Sequence, residues 1–232
     1  MKTSLMKLLL LIIATLSISA CAFGRPYYTS LPINARVVDA ETNEPIEGAI
    51  VTANWHLVKG GLDGPRHVGQ LEVMETVTDK YGKFSFPGFT KANLTGGELR
   101  DEDPQILIFK AEYKYAAIRN DYSVNNLDPG PLRKAYVDGQ TVKLRKFNGN
   151  YITNSPYSGL DTTLYRVIED CEWKKTPFMF IALDAEYNRL KIMYPERSIY
   201  LPSISFLEGY AAKCGSAKEF FKAYKSYGMA TI

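Results

Sequence analysis

Gly48-Ala49-Ile50-Val51-Thr52-Ala53-Asn54-Trp55-His56-Leu57 is the stretch on which the fold turns. Successive side chains of a strand point to opposite faces, so Val51, Ala53, Trp55 and Leu57 share one side and Thr52, Asn54 and His56 the other. That is the pattern of a half-buried strand, with Trp55 in the core and His56 turned toward solvent. Upstream, Asn34-Ala35-Arg36-Val37-Val38-Asp39 reads as another strand, and Asn43 and Pro45 mark a turn over Glu41 to Glu47. Downstream, Gln70 to Thr78 reads as a third strand. It runs into Asp79-Lys80-Tyr81-Gly82, a turn in which Gly82 can take a positive φ, and Lys83-Phe84-Ser85-Phe86 then returns antiparallel.

Together these residues form two half-motifs. Val38-Asp39, Thr42, Pro45-Ile46, Gly48-Ala49 and Val51 make the first; Thr78-Asp79, Gly82, Phe84 and Phe86 make the second. In this order they resemble the carboxypeptidase regulatory-like module of the transthyretin-like β-sandwiches. The resemblance spans about residues 33–145 and implies two packed antiparallel sheets without peptidase activity, since that accessory sandwich lacks its neighbour's metal and catalytic residues. Leu107-Ile108-Phe109-Lys110-Ala111-Glu112-Tyr113 supplies the family's next apolar strand, with Glu112 where Gly is typical. On this strand Leu107, Phe109, Ala111 and Tyr113 form one face, and Ile106 and Ile108 begin the other. Both faces start apolar, so the second is expected to lie under the C-terminal region. Residues 59–69, 88–104 and 120–139 are rich in Gly, Pro, Asn or Asp and read as surface loops. Asp101-Glu102-Asp103 reads as a solvated acidic cluster, because no calcium-loop ligand spacing surrounds it. Asn93-Leu94-Thr95 matches the N-glycosylation acceptor pattern, which matters only in a eukaryotic secretory route.

After Phe147-Asn148-Gly149-Asn150 the period changes. Ser158 and Asp161 offer a capping box, and Leu160, Leu164, Val167, Ile168 and Cys171 recur at helical spacing. Thr176-Pro177 opens a second helix ending before Tyr194-Pro195. Ser216 and Glu219 cap a third, whose stripe of Ala217, Phe220, Phe221, Tyr224 and Tyr227 stops at Gly228. The expected fold class is therefore α+β: an antiparallel transthyretin-like β-sandwich over residues 33–147, then a small helical C-terminal region over 148–232.

The amino terminus carries an address. Lys2 and Lys7 precede the apolar run Leu8 to Leu16, which is too short to span about 30 Å of hydrocarbon and reads as a segment to be removed. Ile18-Ser19-Ala20-Cys21 resembles the bacterial lipoprotein signal, in which the Cys thiol is acylated before cleavage. The resemblance implies a signal peptide over residues 1–20, lipid on Cys21 and a tether over 21–32. Acyl burial contributes about 0.8 kcal/mol per CH₂ to membrane attachment. Ala22 after the Cys resembles the pattern sent to the outer membrane, with the body facing the periplasm. An ordinary secretory signal cleaved after Ala22 is the alternative.

Removing residues 1–20 takes away two lysines and no acids, leaving 26 basic against 25 acidic residues. No concentrated basic face is visible, so nucleic acid is not an expected partner. Cys171 and Cys214 remain as an even pair in an oxidising compartment, and a disulfide is the default; two separately buried thiols are the alternative. A catalytic thiol lacks a partner, since neither His56 nor His67 stands near an acidic orienting motif. The two histidines give no zinc-binding helix, and neither a nucleophile elbow, a phosphate loop nor a dinucleotide fingerprint appears. Glu169-Asp170 and Asp184-Glu186 are read as water-facing helix residues. No cofactor or metal is expected. The sequence thus reads as a non-enzymatic, membrane-anchored envelope lipoprotein, a protein-binding or structural module with an envelope protein as partner. Two alternatives stand beside it: a carbohydrate-binding lipoprotein, its glycan stacked on Tyr113, Tyr115 and Tyr122, and an envelope hydrolase.

Overall fold

The computed structural model describes residues 25–100, 102–120, 130–151 and 155–226. The signal segment, Cys21, Tyr122, Tyr227 and Gly228 lie outside the described residues. The chain is α+β, with its strands first and its helices after.

Eleven strands occur among the described residues: β1 (Tyr27–Ser30), β2 (Ile33–Asp39), β3 (Ile50–Lys59), β4 (Arg66–Val77), β5 (Lys83–Phe86), β6 (Phe89–Ala92), β7 (Glu98–Leu99), β8 (Gln105–Phe109), β9 (Ala116–Ile118), β10 (Leu132–Arg133) and β11 (Thr141–Leu144). They form sheets ordered β10-β1-β6, β11-β2-β5 and β4-β3-β8-β9, with β7 on the end of β3. Most pairings are antiparallel; β1–β10 and β2–β11 are parallel. The first two sheets close over the third around a core containing Tyr28, Val37, Phe84, Val51, Trp55 and Ile108. β1 draws Tyr27 to Ser30 of the expected tether into the body, with Tyr28 buried. The three expected loops are also partly strand: β4 begins at Arg66, β6 and β7 occupy the second, and β10 the third.

The Asp79–Gly82 turn forms as expected, but it does not close a hairpin. β5 pairs with β2, Ile33 opposite Phe86, so the turn carries the chain from one sheet to the other. Asp79 Oδ1 accepts from the Tyr81 and Lys83 amides, which holds the turn. Gly82 has φ 70°, and a Cβ there would come within 2.2 Å of the Val37 carbonyl oxygen, so only glycine fits. Glu112 also takes the left-handed conformation, at φ 67°. A non-glycine residue thus holds a conformation that its side chain tolerates less well than glycine would.

Among the described residues five α-helices follow: α1 (Leu160–Glu169), α2 (Pro177–Met193), α3 (Ile204–Leu207), α4 (Ala211–Cys214) and α5 (Ala217–Ser226). Ser158 does not cap α1. Gly159, left-handed at φ 82°, stands at that position with no side-chain cap. Leu160, Leu164, Val167 and Ile168 are buried as their spacing requires. Ser216 does cap α5, accepting from the Glu219 amide at 3.2 Å. Cys171 and Cys214 are joined by a disulfide, with Cα atoms 5.3 Å apart.

The helices pack on the outer face of the β4-β3-β8-β9 sheet around a second core. Leu107 and Phe109 belong to this core, whereas Ile106 and Ile108 face into the sandwich. Both faces of β8 are buried as expected, with the two assignments exchanged. β3 is shared in the same way: Ile50 joins the helical core and Val51 the sandwich.

One side chain ties the layers. Glu75, opposite Thr52 on β4, accepts from the amides of Phe178 at 2.8 Å and Met179 at 2.7 Å, occupying donors that the first turn of α2 leaves open. Thr176 makes no side-chain cap there. Burial pushes the Glu75 carboxyl up to about 8, against the pull of these two amides. Its folded value thus lies above the ordinary 4.5, so the folded state holds the proton more tightly and this contribution to stability is lost as pH rises from that value toward about 8. Wild-type stability is expected to fall by up to about 1.4 kcal/mol per pH unit over this window from this group. Glu75→Gln should remove that component, which urea midpoints at a series of pH values would measure; parallel pH profiles for the two proteins would refute the assignment.

Candidate functional site

The polar side of β3 is the place where polar chemistry is buried. Thr52, Asn54 and His56 lie on the outer face as their alternation dictates, yet all three are buried, because α1 passes over them. The expectation that His56 meets solvent is thus corrected: it is 6% exposed. Asp103 is corrected too. Of the supposed solvated acidic cluster, this residue is fully buried. Its Oδ1 is 2.9 Å from His56 Nδ1, and its Oδ2 accepts from the His56 amide at 3.0 Å and the Arg100 amide at 3.1 Å. Burial raises the Asp103 carboxyl above its ordinary value, opposed by the hydrogen bonds from the His56 ring and the Arg100 amide and by the charge of Arg100.

The pairing fixes the ring. With Nδ1–H donating to Asp103, His56 Nε2 is the acceptor for Asn54 Nδ2–H at 3.0 Å. Asn54 then turns its Oδ1 away from the ring, and that atom, although buried, has no hydrogen-bond partner among the described residues.

β4 adds a second histidine through two irregularities. Trp55 pairs with Glu72 but His56 with Gln70, and Leu57 pairs with Gly69 but Val58 with His67. The skipped residues, Leu71 and Val68, pack toward the sandwich core. Gln70 and His67 are three residues apart, and an unbroken strand would set them on opposite faces; the bulges set both on the outer one. There His67 Nε2 and Gln70 Nε2 both meet Asp170 Oδ2 at the end of α1. Burial alone would raise the Asp170 carboxyl, but the bonds from His67 and Gln70 hold it below the usual range. The rings of His56 and His67 are 6.2 Å apart.

These groups border a cleft of about 530 Å³ between the outer face of β3, β8 and β9 and the start of α1. Thr52, Asn54 and His56 line it from the sheet side, Thr162 and Arg166 from α1, and Arg100 and Arg119 stand in the adjoining segments. Among the described residues, no group of three or more His, Cys, Asp or Glu side chains is placed to hold a metal ion.

The tyrosines chosen from the sequence are elsewhere. Tyr113 donates its hydroxyl to Asp39 Oδ2 at 3.0 Å, and Tyr115 donates to the Ser158 carbonyl at 2.9 Å. Each hydroxyl serves a different internal partner, and neither side chain lines the cleft. The carboxylates read as water-facing are also engaged. Glu186 is 2% exposed, accepts from the Tyr157 hydroxyl at 2.6 Å and forms a two-pronged pair with Arg189. Asp184 Oδ1 accepts from the Ile204 amide, and Asp170 holds His67. The amide of Asn93, within the Asn-Leu-Thr pattern, donates to the carbonyls of Arg25 and Gly97. No described helix is long and apolar enough to cross a membrane.

No protein-family model matches the chain, and no curated protein matches it significantly. Three solved structures are similar in part. A streptococcal ancillary pilin is 14% identical over 53% of this chain, which spans 30% of that pilin, with a TM-score of 0.23. The C-terminal domain of a shaft pilin from Lactobacillus rhamnosus GG is 15% identical over 53% of this chain and 100% of that domain, with a TM-score of 0.24. A 3-chlorocatechol 1,2-dioxygenase from Rhodococcus opacus is 14% identical over 54% of this chain and 62% of that one, with a TM-score of 0.26. Likenesses this slight assign neither a family nor an activity.

Proposed function

We propose that this chain is a non-enzymatic envelope protein, held by lipid on Cys21 to the periplasmic face of a bacterial outer membrane, whose body binds or supports another envelope protein. The observation that carries this reading is the cysteine inventory. The sequence has three cysteines, and Cys171 and Cys214 are bridged to each other. The remaining one is the cysteine of Ile18-Ser19-Ala20-Cys21, where an acylated thiol is required, and a bridged pair suits an oxidising compartment. The non-enzymatic part is supported by His56. Its pairing with Asp103 is the kind that prepares a general base, but the second ring nitrogen is taken by Asn54 and not offered to a substrate.

Cells expressing the full chain and fed an alkyne-bearing fatty acid are expected to label it, and Cys21→Ser should abolish both the label and recovery with membranes. A wild-type protein that is unlabelled, freely soluble and begins at Phe23 would overturn the anchor. Crosslinking in the membrane fraction tests the second half, with specific envelope proteins as the expected catch.

A further inference from the structure

We infer that one end of the sandwich, formed by the tip of the β3–β4 hairpin and the loop after β6, lies in the surface of the bilayer with Leu62 and Leu94 sunk into it. This rests on the reading that Cys21 carries lipid, and adds to it which face of the body meets the membrane. The first support is the length of the leash. β1 takes the chain into the body from Tyr27, and the two residues before it are already held. The Pro26 carbonyl accepts from the Asn93 amide at 2.8 Å, and the Arg25 carbonyl accepts from Asn93 Nδ2 at 2.9 Å. Between Arg25 and Cys21 stand Ala22, Phe23 and Gly24, which carry no charge. Four residues reach at most about 14 Å. β4 alone, at twelve residues, runs about 40 Å. The end of the body where the chain enters is therefore kept at the headgroups, and the Asp79–Gly82 turn, beyond the other end of β4, is kept away from them.

What stands at that end is the second support. Asn93 Nδ2 also donates to the Gly97 carbonyl, and Gly97 packs so closely on the hairpin that a Cβ there would come within 2.6 Å of Val68 Cγ2. Glu98 pairs antiparallel with Val58, so residues 93–97 run outward beside the hairpin tip that follows Lys59. The loop holds Leu94 at 93% exposure, and the tip, Gly60-Gly61-Leu62-Asp63-Gly64-Pro65, holds Leu62 fully exposed. These are the two most exposed large apolar side chains among the described residues. Tyr27, half exposed at the entry, adds a ring of the kind enriched at membrane interfaces. Charge does not set the contact, because exposed Lys59 and Arg66 at the root of the tip are matched by exposed Asp63 and Glu98. The attraction is apolar, at the boundary of headgroups and acyl chains about 5–10 Å deep, and needs no anionic lipid.

The full, acylated chain in phosphatidylcholine vesicles tests this, with a nitrobenzoxadiazole probe on Leu62→Cys, Leu94→Cys or Tyr81→Cys. Each new thiol is free for labelling, since Cys171 and Cys214 are bridged and Cys21 holds the lipid. The probes replacing Leu62 and Leu94 are expected to shift to the blue and to lose emission to lipids brominated on their acyl chains. The probe replacing Tyr81, in the turn at the far end, should do neither, and added phosphatidylglycerol should change none of the three. The inference is overturned if either leucine-site probe behaves like the one replacing Tyr81, or if quenching appears only with phosphatidylglycerol. It is also overturned if, in the cell's membrane fraction, these two sites crosslink to a protein instead of lipid. The mass of the amino-terminal peptide separates two failures: acylated Cys21 with unquenched probes overturns this inference alone, whereas unacylated Cys21 removes the leash and overturns the anchor with it.

Discussion

Asp103→Ala is expected to lower unfolding free energy by about 3–5 kcal/mol, because it removes the acceptor of three donors at once, two of them buried. The His56 amide, the His56 ring Nδ1–H and the Arg100 amide all end on this carboxylate, and both Asp103 and His56 are buried. Asp103→Asn keeps one acceptor oxygen and turns an N–H₂ toward donors, so a loss of about 1–2 kcal/mol is expected. Urea denaturation of both variants checks the order. Equal, small effects would mean that His56 is oriented by something else.

Opening the Cys171–Cys214 bridge is expected to cost a similar amount. It joins residues 43 apart in sequence, and closing a loop of that length in the unfolded chain contributes about 4 kcal/mol in the loop-entropy picture. The bridge ties the end of α1 to the end of α4, just ahead of α5, whose Phe221 stacks on buried Trp173. Reduction should therefore lower the urea midpoint of the wild type and leave the Cys171→Ser/Cys214→Ser variant, already lowered, unmoved. A wild-type midpoint indifferent to reductant would show that the bridge is not formed in solution.

Much of the sandwich was legible because alternation is a local signal. Val51, Ala53, Trp55 and Leu57 had to share a face, and they do. Alternation does not say which face meets which core when both are apolar, so Ile106/Ile108 and Leu107/Phe109 were exchanged. Polarity misled at His56, since Thr52, Asn54 and His56 look like a solvent face until a helix from more than a hundred residues later covers them. The candidate site had no local signature at all: Asp103 is 47 residues from His56, Asp170 is 103 from His67, and the bulges at Leu71 and Val68 arise from pairing rather than composition. The helix over Pro177–Met193 was legible at both ends from Thr176-Pro177 and Tyr194-Pro195. α3 and α4, four residues each, are too short for any period to show.

Because β3 and β8 give one face to each hydrophobic core, the change of period near residue 148 is not a place to cut the chain. A fragment ending there would bare Ile50, Leu107 and Phe109, each worth about 1.5–3 kcal/mol of burial, as a contiguous oily surface. Such a truncation would be sticky even with every strand of the sandwich intact.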